Sequence, residues 1–181
     1  MFKVPLEGIT SSSQPKSSVQ KNIIKKFIEQ FPLMETYIEE VIPKGTKLTE
    51  AKLKGVSHIK VYFIEEEVLF YQQRDQTIIP HLKLLHKYPT MMKHMQCDKG
   101  AIKHIIGGSD VMAPGLLHEN GVIDESAVVG DVIAIMAEGK RHAMAIGRMA
   151  MTPADIKETK KGIAIALETY ITDALWTFKV E

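Results

Sequence analysis

Apolar residues between Ser18 and Ile42 recur at helical spacing. Val19, Ile23, Phe27 and Ile28 form one stripe, with Lys21, Lys25 and Lys26 off it. The pattern predicts a helix, with Ser17 or Ser18 suited to cap its start. Pro32 breaks or restarts it, and Met34, Tyr37, Ile38 and Val41 make a second stripe that ends at Pro43-Lys44-Gly45. The period then drops to two. Ile59, Val61 and Phe63, an acidic turn at Glu65–Glu67, and Val68, Phe70 and Gln72 predict a hairpin over 58–73. Phe63 and Phe70 are expected in the core. Tyr62 and Tyr71 are expected on the opposite face, as residues facing a partner or stacking on a base. Leu82, Leu84 and Leu85 between Pro80 and Pro89 predict a short helix.

Beyond residue 94 the segments are shorter and the punctuation sharper. Asp98 is suited to cap a helix over Ala101–Ile106, which Gly107 or Gly108 ends in the left-handed conformation. Pro114-Gly115 predicts a turn. Strands are expected over 128–136, 143–149, 163–167 and 175–180, with Gly147 at a bulge or a close approach. Thr152-Pro153-Ala154-Asp155 starts a helix that Gly162 stops. Trp176, Phe178 and Val180 alternate onto one face of the closing strand.

The chain of 181 residues is long enough for one good core or two small ones. Residues 1–16 read as a flexible Ser-rich leader, 17–92 as an N-terminal domain and 93–181 as a second domain, with the boundary near 89–94. The net charge of +1 conceals a basic first half and an acidic second half. The single cysteine, Cys97, excludes an internal disulfide and fits a reducing compartment, and its expected place is a core strand. No apolar run approaches the ~20 residues of a membrane span, and a cytoplasmic protein is expected. There is no Walker phosphate loop and no dinucleotide fingerprint, and Ser109 lacks the final glycine of a nucleophile elbow. The histidines show no metal-ligand spacing, so neither metal nor cofactor is expected. The segment from His81 to His104 carries Lys83, Lys87, Lys93, Lys99 and Lys103 against one acid, Asp98. A basic ridge of this kind suits an RNA backbone.

Two blocks carry a resemblance. Asp98-Lys99-Gly100-Ala101-Ile102-Lys103, then Gly107-Gly108 and Val111-Met112-Ala113-Pro114-Gly115-Leu116, with Ala145-Ile146-Gly147 downstream, resemble a PUA domain, a small RNA-binding pseudobarrel. The likeness extends through Glu29-Gln30-Phe31-Pro32, Val68-Leu69-Phe70-Tyr71-Gln72, Leu84-Leu85-His86-Lys87-Tyr88-Pro89, Ala134–Lys140 and Ala174-Leu175-Trp176. Together these are similar to the malignant-T-cell-amplified-sequence family of translation factors, and to the N-terminal part of ligatin. Ser109, Ala113 and the Thr169-Tyr170 pair depart from the pattern of that family.

The resemblance implies an α+β protein: an N-terminal α/β domain, helices packed on a small antiparallel sheet, followed by a C-terminal PUA pseudobarrel. It implies a non-enzymatic translation factor, paired with density-regulated protein, a partner that carries an SUI domain. The pair would act on the small ribosomal subunit in reinitiation and in releasing deacylated tRNA during recycling, with the tRNA acceptor end as a further contact. Lys83, Lys87, Lys99, Lys103 and His104 are the expected RNA-binding residues and Tyr62 and Tyr71 the expected partner-binding residues. The alternatives are an RNA-binding accessory or a component of an RNA-modifying enzyme, and an adaptor with no RNA role.

Overall fold

In the computed structural model, which describes residues 2–74 and 76–180, the chain divides into two compact units. One holds Pro5–Met91 and the residues from Phe178 on. The other holds Met92–Thr177 with Phe2–Val4.

The first unit is an antiparallel sheet in the order β1-β2-β3-β4-β5, formed by Ile9–Ser13, Thr49–Leu53, Val56–Ile64, Glu67–Gln73 and Ile78–Pro80. Helix α1 (Ser17–Gln30) buries Ile23 and Phe27 of the expected stripe, while Val19, expected in it too, is exposed. Its start is Lys16, with no side-chain cap from either serine. Pro32 restarts the chain as a 3-10 turn over Pro32–Glu35, followed by α2 (Ile38–Val41). Phe27 stacks on Phe70 of β4 at 5.0 Å between ring centroids, and Phe70 meets Tyr62 of β3 at 5.1 Å. The hairpin turns at Glu65, whose φ is +53°. Helix α3 (Leu82–Lys87) buries Leu82, Leu84 and Leu85, and the His81 ring accepts a hydrogen bond from the Lys83 backbone N–H at 3.2 Å.

Three expectations are corrected here. The Ser-rich stretch is the edge strand β1, paired antiparallel with β2, where a mobile leader was expected. Tyr62 and Tyr71 are 2% and 0% exposed, so neither ring is presented to a partner. The reason is a bulge. Tyr62 pairs with Phe70 and Val61 with Tyr71, but Phe63 pairs with Val68, leaving Leu69 as the extra residue. The two tyrosines therefore point to opposite faces of the sheet, and both faces are covered. Finally, residues 175–180 form no closing strand. Asp173 accepts the Trp176 backbone N–H at 2.7 Å and starts a helical turn, α7 (Ala174–Thr177). Phe178 and Val180 belong to the first unit.

The second unit is a five-stranded sheet in the order β6-β8-β9-β10-β7. Its strands are β6 (His94–Cys97), β7 (Val111–Met112), β8 (Val132–Ala137), β9 (Ala145–Met149) and β10 (Ile163–Tyr170). β6 runs parallel to β8 and the other pairs are antiparallel. Three short helices connect the strands: α4 (Ile102–Ile105), α5 (Ala113–Leu116) and α6 (Pro153–Thr159). β8 begins later than expected, because Asp131 accepts the Val128 backbone N–H at 3.1 Å and folds residues 128–131 into a turn. Pro114 lies in the first turn of α5 and does not break the chain. A Cβ on Gly147 would sit 2.5 Å from Ile165 Cγ2, so the close-approach reading of that glycine holds. The core gathers Met95, Cys97, Ile105, Ile133, Ile135, Ile156 and Ile165. Among the described residues no helix is long and apolar enough to cross a membrane.

Candidate nucleic-acid interface

Asp98 builds the entrance to the site. Its carboxylate accepts the Ala101 backbone N–H at 3.1 Å and opens a 3-10 turn over Lys99–Ala101 that runs into α4. Ile105 is the buried anchor of this helix, while Lys103 and His104 are exposed on it and Lys99 is exposed on the turn before it. Gly108 closes the helix with φ +87°, its N–H donating to the Ile105 carbonyl at 2.9 Å. Asp110 then accepts the Leu167 N–H at 2.8 Å and pins the loop to β10.

These elements enclose an open cleft of about 740 Å³. His104, Gly100, Gly108 and Gly115 line it, together with Asp98 and Asp110. Met112 and Ile163, 48% and 43% exposed, are register partners on β7 and β10 and form an apolar wall. Glycines let a ligand approach the backbone, the exposed lysines of the adjoining turn and helix suit phosphate, and an exposed apolar pair suits the face of a base or ribose. Asp98 and Asp110 are already engaged by backbone N–H groups. Lys99 lies 3.7 Å from Glu138, but it is 72% exposed and the pair is weak.

Of the expected RNA-binding residues, Lys103 and His104 lie on α4 and Lys99 on the 3-10 turn that leads into it, and of the three only His104 lines the cleft. Lys83 and Lys87 lie on α3 in the other unit, beside a groove of about 460 Å³ that also takes in Glu65, Glu66 and Glu67. Lys87 is ion-paired with Glu67, so part of its charge is offset locally. Lys93 is likewise engaged, by Asp131 at 2.9 Å. Sequence reasoning missed Lys3, Met112 and Ile163 as cleft residues. Met112 and Ile163 meet only through long-range register, and no local pattern signals Lys3.

The groups that could do covalent chemistry are disposed otherwise. Cys97 is fully buried, and loss of water around the thiol, helped by the Asp98 charge, pushes it up to about 12. Among the described residues no group of His, Cys, Asp or Glu side chains is placed to hold a metal ion.

Comparison with known proteins agrees with this division. Residues 5–89 match the Pre-PUA-like domain and residues 93–171 the PUA domain. Malignant T-cell-amplified sequence 1-B of Xenopus laevis is 39% identical over 173 residues, covering 96% of this chain and 94% of that protein. Translation machinery-associated protein 20 of Saccharomyces cerevisiae is 38% identical over 184 residues, covering 100% of both chains. Among solved structures, a hypothetical protein of Pyrococcus horikoshii superimposes with a TM-score of 0.73 at 23% identity, covering 92% of this chain and 98% of its own, which shows the shared fold. A conserved PUA-domain protein of Thermoplasma acidophilum gives 0.64 at 25% identity, covering 91% and 97%. The two domains in this order, matched to these relatives over nearly their whole length, place the chain in the malignant-T-cell-amplified-sequence family, together with translation machinery-associated protein 20.

Proposed function

We propose that this chain is a non-enzymatic translation factor that binds RNA of the small ribosomal subunit through its PUA unit. The observation that carries the reading is the end-to-end likeness to translation machinery-associated protein 20, 38% identical over the full length of both chains. Exposed Lys99 and Lys103, on the turn and helix that contribute Gly100 and His104 to an open, glycine-lined cleft, supply a chemistry suited to that task. Lys99 and Lys103 contact phosphates, His104 lies at the cleft edge, and Lys83 adds a phosphate contact from α3. Lys87 contributes once RNA displaces Glu67. The factor acts in the cytoplasm with density-regulated protein, in reinitiation and in the release of deacylated tRNA after termination, with the acceptor end as a ligand of the cleft.

Reversing the charges of Lys99 and Lys103 tests the RNA reading. Lys99→Glu combined with Lys103→Glu should weaken binding to small-subunit RNA and flatten the plot of log affinity against log salt by about 0.7 to 0.9 per lost phosphate contact. Both side chains are exposed, so the thermal transition should stay in place. Unchanged affinity at moderate salt would remove these lysines from the interface.

A further inference from the structure

We propose that Lys3, held over the cleft by a strap anchored through Phe2, is a phosphate-binding residue of the RNA site. The inference rests on the reading of the cleft as an RNA site and adds a residue from a distant part of the sequence to it.

Phe2 is 2% exposed, and its carbonyl accepts the Ala174 backbone N–H at 3.0 Å. One apolar anchor and one backbone hydrogen bond thus fix the residue before Lys3. The segment Phe2–Val4 groups with the PUA unit, whereas Pro5 onward groups with the other. Lys3 itself is exposed and lines the cleft. Its Cε lies 3.2 Å from where a Cβ on Gly108 would sit, and the Tyr170 hydroxyl oxygen lies 3.0 Å from the same point. A side chain there would crowd both, and at φ +87° glycine adopts the backbone without strain. The lysine stem therefore lies across bare backbone, where its ammonium reaches the cleft.

The cleft also holds two carboxylates. The acids of the cleft are occupied: Asp98 caps the α4 entrance and Asp110 holds Leu167. Lys87, Lys93 and Lys99 each face an acidic partner, and among the described residues none is placed on Lys3. A compact ammonium over a glycine loop, in the same cleft as an apolar wall of Met112 and Ile163, suits one phosphate of a single strand whose base or ribose lies on the wall.

The test is fluorescence anisotropy of the full chain, free of any N-terminal tag, with a short labelled single-stranded RNA across a salt series. Lys3→Gln should lower affinity and reduce the salt slope by about 0.7, the value of one single-strand phosphate contact. Phe2→Ser keeps the lysine but releases the strap, and should reproduce that slope loss. Lys16→Gln, an equal charge change in the other unit, should leave the slope alone. A wild-type slope in Lys3→Gln, with weakened binding in the Lys99→Glu, Lys103→Glu double variant, would overturn the role of Lys3 and leave the cleft reading intact. Equal losses in Lys3→Gln and Lys16→Gln would replace a positioned contact by a diffuse field. Absence of RNA binding by the unaltered chain would overturn both readings.

Discussion

Cys97 and Gly147 show what single residues contribute to the PUA unit. Burial pushes the Cys97 thiol up to about 12, so the native state holds its proton more tightly than the unfolded chain does. Its contribution to stability is complete below the ordinary thiol value near 9, and is lost as pH rises from there toward 12. The native protein at pH 8 should resist thiol reagents and react fully in denaturant. Rapid labelling of the folded protein would contradict the buried placement. Cys97→Ser, which puts a hydroxyl in the same apolar site, should cost about 1–3 kcal/mol by urea unfolding. At Gly147 the obstacle is shape. A methyl group there would meet Ile165 Cγ2 at 2.5 Å and the Ala166 carbonyl oxygen at 2.7 Å. Gly147→Ala should therefore destabilise by about 1–3 kcal/mol, read as a lower urea midpoint, and a neutral result would mean that β9 and β10 can separate cheaply. The close approach at Gly147 was legible because a glycine inside a strand has few other uses. The fates of Tyr62 and Tyr71 were not, because the bulge that sends them to opposite faces depends on how two strands pair.

At the scale of elements, the expected caps are found at α6 and at the entrance to α4, but not at α1, where neither serine caps the helix. Thr152 accepts the Asp155 N–H at 3.1 Å, and the Asp155 carboxylate accepts the Thr152 N–H at 3.3 Å, so the box that opens α6 is complete. Thr152→Ala should lower stability by about 1 kcal/mol with an unchanged urea m-value, and a change in m would mean that more than the cap is lost. Helices α1 and α3 were legible from their apolar stripes, and the α4 entrance from Asp98. The edge strand β1 was not. Ile-Thr-Ser-Ser-Ser has no alternation, and four of its five residues are exposed, so its strand form comes from backbone pairing with β2. Nor was α7. Trp176, Phe178 and Val180 alternate, but the buried Asp173 carboxylate, hydrogen-bonded to the Thr169 hydroxyl at 2.6 Å and the Trp176 N–H at 2.7 Å, imposes a helical turn on that pattern.

At the scale of the molecule, the two-domain order and the family were legible because the Asp98–Lys103 and Leu84–Pro89 blocks are specific strings. Of the cleft, the segment from Asp98 to His104 was legible, since its 3-10 turn and α4 are contiguous in sequence. The rest of the cleft is assembled from β7, β10 and the Phe2–Val4 strap, which come together only through folding. The central claim is that this assembly works on the small ribosomal subunit. It is tested most directly by co-sedimentation with purified small and large subunits across a salt series, with and without density-regulated protein. The account predicts that the chain pellets with the small subunit alone, that binding falls as salt rises, and that it weakens in the Lys99→Glu, Lys103→Glu variant. Failure to pellet with either subunit, alone or with the partner, would contradict it.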